Sequence, residues 1–369
     1  MKIEKIEAVQ VCWSPGDKPA QGSAWVRIHC DDGVSGIGEA SPMQGGIASL
    51  GIIARDIAPS LIGKDPLDHA VLLDAALHRL VKLGPEGALT GALAALDIAL
   101  WDIKGKLFGQ PVYKLLGGAW RTALPFYASI GGNGERSVDE VLRVVEGRMK
   151  DQPAAVKIRF DADRTKADVD ILGDIEKARA VRKLVGDGFP LAFDANNGYS
   201  VGGAIRVGRA LEELGYWWFE EPVQHYHVKA MGEVAQRLDI TVSAGEQTYT
   251  LAGLADLIAA GVRMVQPDIV KMGGITGLRQ CMALCQAHGV ELVPHQTQPT
   301  IGHVASLHLA ATQMGATKPC EWNDPSSRTH AVFENPPLPV DGLFRLSEEP
   351  GLGLSVNEAE LSKRIVSLG

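Results

Sequence analysis

Two rhythms of apolar and polar positions divide the chain. Residues 3–12 and 24–30 alternate with the period of half-buried strands, and Asp31-Asp32-Gly33 marks a hairpin turn. Helical spacing then runs over roughly 45–60, 67–82 and 87–107, the last rich in Ala and Leu and stopped by Gly109 and Pro111. Together these predict an N-terminal α+β domain over 1–120, with its boundary near Gly117-Gly118.

Beyond that point short apolar runs alternate with amphipathic helical stretches. The runs fall at 125–129, 154–159, 191–194, 216–220, 241–246, 264–268, 291–295 and 318–322, with helices such as 202–214 and 276–288 between them. Strand–helix alternation predicts a parallel sheet. So many units in so short a span predict a closed βα barrel over 121–330, with a doubly wound sheet as the alternative. The segment 331–369, with Pro336-Pro337, Pro339 and a strand-like Leu343 to Leu346, leaves the barrel and is expected to return to the first domain.

What closes each apolar run is the informative feature. Asp194, Glu220 and Glu246 end successive runs 26 residues apart; Asp268 follows after 22, His295 after 27 and Glu321 after 26. Each interval is one βα unit, so in a barrel all six groups meet at the C-terminal mouth. A lone Asp after a strand caps the next helix, and a lone His is commonly structural. Six groups in phase with the repeat call for another explanation. Converging carboxylates repel unless a countercharge sits among them, and Asp194, Glu220 and Glu246 suit a hard cation such as Mg²⁺. Asp268 and His295, on adjacent strands, suit a general base or acid whose tautomer the carboxylate holds. Lys157 and Arg159 lie two apart on one strand and so share its inward face, where they can bind or deprotonate an anionic substrate.

Composition narrows the partners. The 369 residues are 46% hydrophobic and 22% charged, which excludes a disordered or coiled-coil chain. A net charge of −8 without a basic run argues against nucleic acid. The most apolar stretch, Gly87 to Trp101, is broken by Asp97 and too short for a bilayer, so no membrane is expected. Met1 to Lys5 lacks the apolar core of a signal peptide, and five cysteines without metal-type spacing fit buried thiols in a reducing cytoplasm.

With these residues in hand the chain resembles the enolase superfamily, in its mandelate racemase-like subgroup, over essentially its full length. The matching segments are Ala99-Leu100-Trp101-Asp102-Ile103-Lys104-Gly105, Lys157-Ile158-Arg159, Asp194-Ala195-Asn196, Glu220-Glu221-Pro222, Gly245-Glu246, Gln266-Pro267-Asp268 and Pro294-His295. The resemblance implies a modified (β/α)7β TIM-like barrel under an α+β capping domain that the C-terminal segment completes. It implies one Mg²⁺ held by Asp194, Glu220 and Glu246, a His295–Asp268 dyad, and Glu321 as a hydrogen-bond donor or electrophilic helper at the substrate carboxylate. Asn196 and Gln296 are expected at the substrate. The capping loops that the resemblance assigns to specificity contain Trp13 and Gln44.

One position departs from the subgroup. Its racemases carry Lys-X-Lys, and here the second Lys is Arg159, whose guanidinium resists deprotonation. Racemisation needs a base on both faces of the substrate, whereas β-elimination needs one. The expectation is therefore a Mg²⁺-dependent acid-sugar dehydratase that takes the proton α to a carboxylate, passes through a metal-stabilised enediolate and loses the 3-hydroxyl. A racemase or epimerase and a lactone cycloisomerase are the alternatives, and a barrel that binds without catalysis is the remote one. A small-molecule carboxylate substrate and a homo-oligomer are expected. His225-Tyr226-His227 reads as a solvent-facing or substrate-contacting loop rather than a metal pair, and Gly273 to Gly277 as the packing of a loop into a helix N-terminus.

Overall fold

The computed structural model describes residues 1–12, 22–42, 46–161, 163, 165–296, 300–323 and 330–366. Three antiparallel strands open the chain: β1 (Ile3–Cys12), β2 (Gly22–Cys30) and β3 (Ser35–Ala40). Eight parallel strands follow: β4 (Ala123–Ile130), β5 (Ala155–Arg159), β6 (Leu191–Asp194), β7 (Trp218–Glu220), β8 (Thr241–Ala244), β9 (Met264–Val265), β10 (Glu291–Leu292) and β11 (Cys320–Trp322). Two short strands, β12 (Leu343–Arg345) and β13 (Ile365–Val366), close it.

In the first sheet the period of two sorts the side chains. Ala24, Val26 and Ile28 of β2 face a cluster formed with helix Ala88–Leu107, whereas Trp25 turns to the barrel side and packs on Phe333 at 5.4 Å. Helix Ala88–Leu107 is buried almost all round because β3 offers it glycines. A Cβ at Gly38 would stand 1.9 Å from the Ala95 carbonyl oxygen, and one at Gly36 2.2 Å from that of Ala99. The same helix reaches the second unit through Asp97, whose carboxylate accepts both the N–H (3.0 Å) and the hydroxyl of Thr276. It thereby caps helix Gly274–His288, the packing expected of Gly273 to Gly277.

Among the described residues seven helices alternate with the eight parallel strands, from Val138–Met149 to Ile301–Ala311, which is the (β/α)7β order. The ladder runs β10-β9-β8-β7-β6-β5-β4-β11. Among the described residues no ladder joins β10 to β11, since Pro294 has no N–H to give and β10 is two residues long. Side chains cross that seam instead. The Gln313 amide donates to the Leu292 carbonyl at 3.1 Å, and that of Asn323 to the Gln296 carbonyl at 2.6 Å.

The tail serves both units rather than only the first. Leu343–Arg345, expected to turn back to the cap, pairs antiparallel with the start of β4 because Phe344 is buried edge-on against Phe126 and Trp322. It is β13 that reaches the cap, pairing with β1, and Glu358 joins it there through an ion pair of 2.7 Å to Arg27. Among the described residues no helix is long and apolar enough to cross a membrane.

Candidate active site

The barrel interior is built in two levels. Tyr127, Ala155, Ala192, Trp218, Met264 and Val293 form a buried apolar floor. Two residues further along the same segments stand Ser129, Lys157, Asp194, Glu220, Gln266 and His295, so the strand period that fills the floor also aims the polar set at the mouth. Register pairs Arg159 with Asp194 and Asp194 with Glu220.

Lys157 is the electrostatic centre of one half. Its Nζ lies 2.7 Å from Glu220, 2.9 Å from Glu321 and 3.7 Å from Asp194, with 1% of the side chain exposed. Burial works against its charge, but Glu220 and Glu321 hold the ammonium well above its usual range. Glu220 also accepts from the Trp218 indole and the Gln266 amide, at 3.1 and 2.9 Å. Glu321 is the other carboxylate on Lys157. Burial opposes its charge, yet Lys157 and His295 bring it down to about 2, and it accepts the Gln296 N–H at 2.9 Å.

His295 dominates the other half. Its Nδ1 faces Asp268 at 2.9 Å and its Nε2 faces Glu246 at 2.8 Å, so both nitrogens donate and the ring is an imidazolium. Burial opposes that charge and is outweighed, first by Glu246 and then by Glu321, which keep the ring well above the ordinary histidine range. The helix after this segment, Ile301–Ala311, is tied to the cap: the Gly302 N–H donates to Glu39 at 2.8 Å, and burial pushes that carboxyl up to about 7.

Arg159 is clamped. Its Nε and Nη2 donate to Asp161 at 2.6 and 3.2 Å. Burial lowers its hold on the proton, and Asp161 with Asp194 more than restores it, so the guanidinium sits above its ordinary value. Asn196, expected at the substrate, gives its side-chain amide to Asp161 at 2.8 Å and its backbone N–H to Asp194 at 2.8 Å. Its φ of 47° is one that Asn tolerates better than most residues. Gln296 uses its main chain to join β10 to β11, as described. Trp13 and Gln44 lie outside the described residues.

Four participants carried no role in the sequence reading. Asp161 lies two residues past Arg159, in strand phase but beyond the strand end. Glu221 is buried and held by Asn197 and Gln247 at 2.6 and 2.7 Å; burial, then Glu246, pushes it up to about 8. Ser129 stands opposite Lys157 in the ladder. Lys271 lies in the turn after β9, where no strand period points to it. Cavity size does not mark this place: a groove of about 680 Å³ lies elsewhere, against Trp120, Gln286 and Met314.

Among the described residues no three carboxylate, imidazole or thiolate groups stand close enough to hold a metal ion as arranged, with Glu220 turned to Lys157 and Glu246 to His295. The donor set nevertheless fits a hard divalent cation. Asp194, Glu220 and Glu246 offer only oxygens, and Asp194 is raised well above its usual range by burial and then by Glu220, with Glu246 adding to it, despite Lys157 nearby.

The mandelate racemase / muconate lactonizing enzyme N-terminal domain matches residues 10–117, and the enolase C-terminal domain-like family matches residues 139–360. The chain belongs to the mandelate racemase branch of the enolase superfamily. Family relatives include a D-galactarolactone cycloisomerase of Agrobacterium fabrum, 32% identical across 92% of this chain and 90% of that one. An L-talarate/galactarate dehydratase of Salmonella typhimurium is 31% identical across 90% of this chain and 80% of its own. A mandelate racemase/muconate lactonizing protein from Paracoccus denitrificans, crystallised with magnesium, superposes with a TM-score of 0.96 at 67% identity, covering 100% of this chain and 98% of that one.

Proposed function

We propose that this chain is a Mg²⁺-dependent acid-sugar dehydratase acting through a single base. The observation that carries the reading is the Arg159–Asp161 clamp: a guanidinium held in two hydrogen bonds by a carboxylate cannot take a proton from the face opposite His295. Relatives that dehydrate sugar acids support the substrate class, and the magnesium in the Paracoccus denitrificans protein supports the metal.

Asp194, Glu220 and Glu246 would hold Mg²⁺, which supplies a Lewis acid to the substrate's carboxylate when bound. Lys157 binds that carboxylate through its ammonium. A second carboxylate beside Glu321 raises Glu321 toward the protonated form, in which it donates to the substrate oxygen. Once Glu246 turns away from it, His295 gives its Nε2 proton to solvent, and Nε2 then accepts the proton α to the carboxylate. Asp268 keeps Nδ1–H oriented and stabilises the imidazolium that forms. His295 then returns the proton to the departing 3-hydroxyl, so that water leaves and the enol rearranges to a 2-keto-3-deoxy acid.

Proton NMR in D₂O, with the Mg²⁺-loaded protein and a complete panel of aldonic and aldaric acids, tests this. Loss of the α-proton with a deuterated C3 methylene establishes dehydration. Inversion at C2 without keto product overturns it in favour of an epimerase. The cycloisomerase at 32% identity favours a second reading that also needs only one base. Turnover of a lactone with no reaction on any open acid would replace dehydration with that reading.

A further inference from the structure

The turn after β9 winds around Asp268. The N–H groups of Lys271 and Met272 donate to the Asp268 carbonyl at 3.0 and 2.8 Å, and that of Val270 to its carboxylate at 3.0 Å. This winding brings Lys271 inward, with 2% exposed. Its ammonium makes no hydrogen bond or ion pair with any described residue, whereas Lys157, Arg159 and His295 are all engaged. The groups acting on it most strongly are Glu246, then Asp268, Tyr249 and Glu221.

A buried ammonium without a partner has two uses in such a mouth. It can await a second anionic group on the substrate, or it can balance the carboxylates around it. Charge decides between them. With Glu221 left out as a carboxyl that holds its proton, Asp161, Asp194, Glu220, Glu246, Asp268 and Glu321 outnumber the three fixed cations and the imidazolium, and a divalent cation only brings the site to neutrality. No positive surplus remains for a second anion. The balancing role also answers a conflict visible in the geometry: Glu246 is hydrogen-bonded to the nitrogen of His295 that must accept the proton.

Resting on the metal assignment of the preceding reading, we infer that Lys271 is a positioning residue that holds Glu246 when this carboxylate leaves His295 for the cation. Glu246 would then exchange the imidazolium for the metal and the ammonium together, and Nε2 of His295, its proton passed to solvent, would face the substrate as a base. Metal binding and exposure of the base become one event.

Calorimetric titration of the full chain with Mg²⁺, without substrate, tests this. Lys271→Met is expected to weaken Mg²⁺ binding by about 10–100-fold, the usual effect of losing a group that supports a ligand. Lys271→Arg is expected to recover most of the affinity. Thermal denaturation without Mg²⁺ is expected to be alike in all three proteins, which separates this role from a general loss of structure. If Lys271→Met does not fold, Lys271→Gln reads the same titration. Wild-type Mg²⁺ affinity in the folded variant overturns the inference, and a raised substrate KM at that affinity identifies Lys271 as a substrate contact instead. Failure of the wild-type protein to bind Mg²⁺ overturns the metal assignment itself, a result distinguishable from a defect confined to the variants.

Discussion

Glu246 Oε2 lies 2.8 Å from His295 Nε2, so the carboxylate assigned to the cation occupies the nitrogen assigned to the substrate proton. The two groups therefore compete, and removing one should relieve the other. In His295→Asn the α-proton exchange in D₂O is expected to fall by about 10²–10⁴-fold, the range for losing a general base. Mg²⁺ affinity is expected to hold or rise, because Glu246 no longer has an imidazolium to prefer. Exchange within a few-fold of wild type would remove His295 from the mechanism, and weakened Mg²⁺ binding would show that the contact supports the metal site.

Arg159 ends β5 and His295 lies three residues past β10, and four strands separate β5 from β10 along the ladder. The clamp by Asp161 keeps the first of them charged. Arg159→Lys alone retains that ion pair and is expected to leave product stereochemistry unchanged. The double variant Arg159→Lys with Asp161→Asn removes the carboxylate that keeps the new ammonium protonated. It is expected to produce measurable C2 epimer by NMR alongside the keto acid. Absence of epimer in the double variant would mean that position 159 does not face the α-carbon.

The strand-end groups were legible in the sequence because a parallel barrel sends every strand's C-terminal end to one mouth. An interval of 22 to 27 residues, one βα unit each time, therefore reads as spatial convergence for Asp194, Glu220, Glu246, Asp268, His295 and Glu321. Lys271 was hidden because its direction comes from main-chain bonds to Asp268 within a turn, not from a strand period. Asp161 has the right period but follows the end of β5, where counting by two loses its warrant. The destination of Leu343–Arg345 was hidden for a third reason: three residues carry too little pattern to choose a partner, and the buried Phe344 made the choice. The seam between β10 and β11 follows from Pro294, present in the sequence but silent until the register is known.

The cap's closeness to its helix rests on Gly38, where an added Cβ would meet the Ala95 carbonyl oxygen at 1.9 Å. Because the obstacle is main chain within a buried helix, it cannot rotate aside. Gly38→Ala is expected to destabilise the protein by about 1–3 kcal/mol, the cost typical of overpacking a core. The midpoint in urea should fall accordingly. An unchanged midpoint would show that helix Ala88–Leu107 can shift off β3.

His308 ties three parts of the molecule together, and it does so only while neutral. Its Nδ1 accepts the Tyr113 N–H at 3.2 Å and its Nε2 donates to the Leu352 carbonyl at 3.2 Å, with no exposed surface. Burial lowers its pKa from 6.5 to about 4. Between those values the unfolded chain binds the proton and the folded one does not. The histidine's contribution is therefore whole above pH 6.5 and is lost as pH falls through 4. A shift of that size corresponds to about 3 kcal/mol. His308→Gln can accept from Tyr113 and donate to Leu352 without titrating. Wild type is thus expected to lose about 3 kcal/mol relative to the variant between neutral pH and pH 4, by urea denaturation at each pH. Asp97 and His69 titrate in the same range but are common to both proteins and cancel in the difference. A difference that stays constant with pH would mean that His308 keeps its ordinary proton affinity in the fold and that burial is not what holds it neutral.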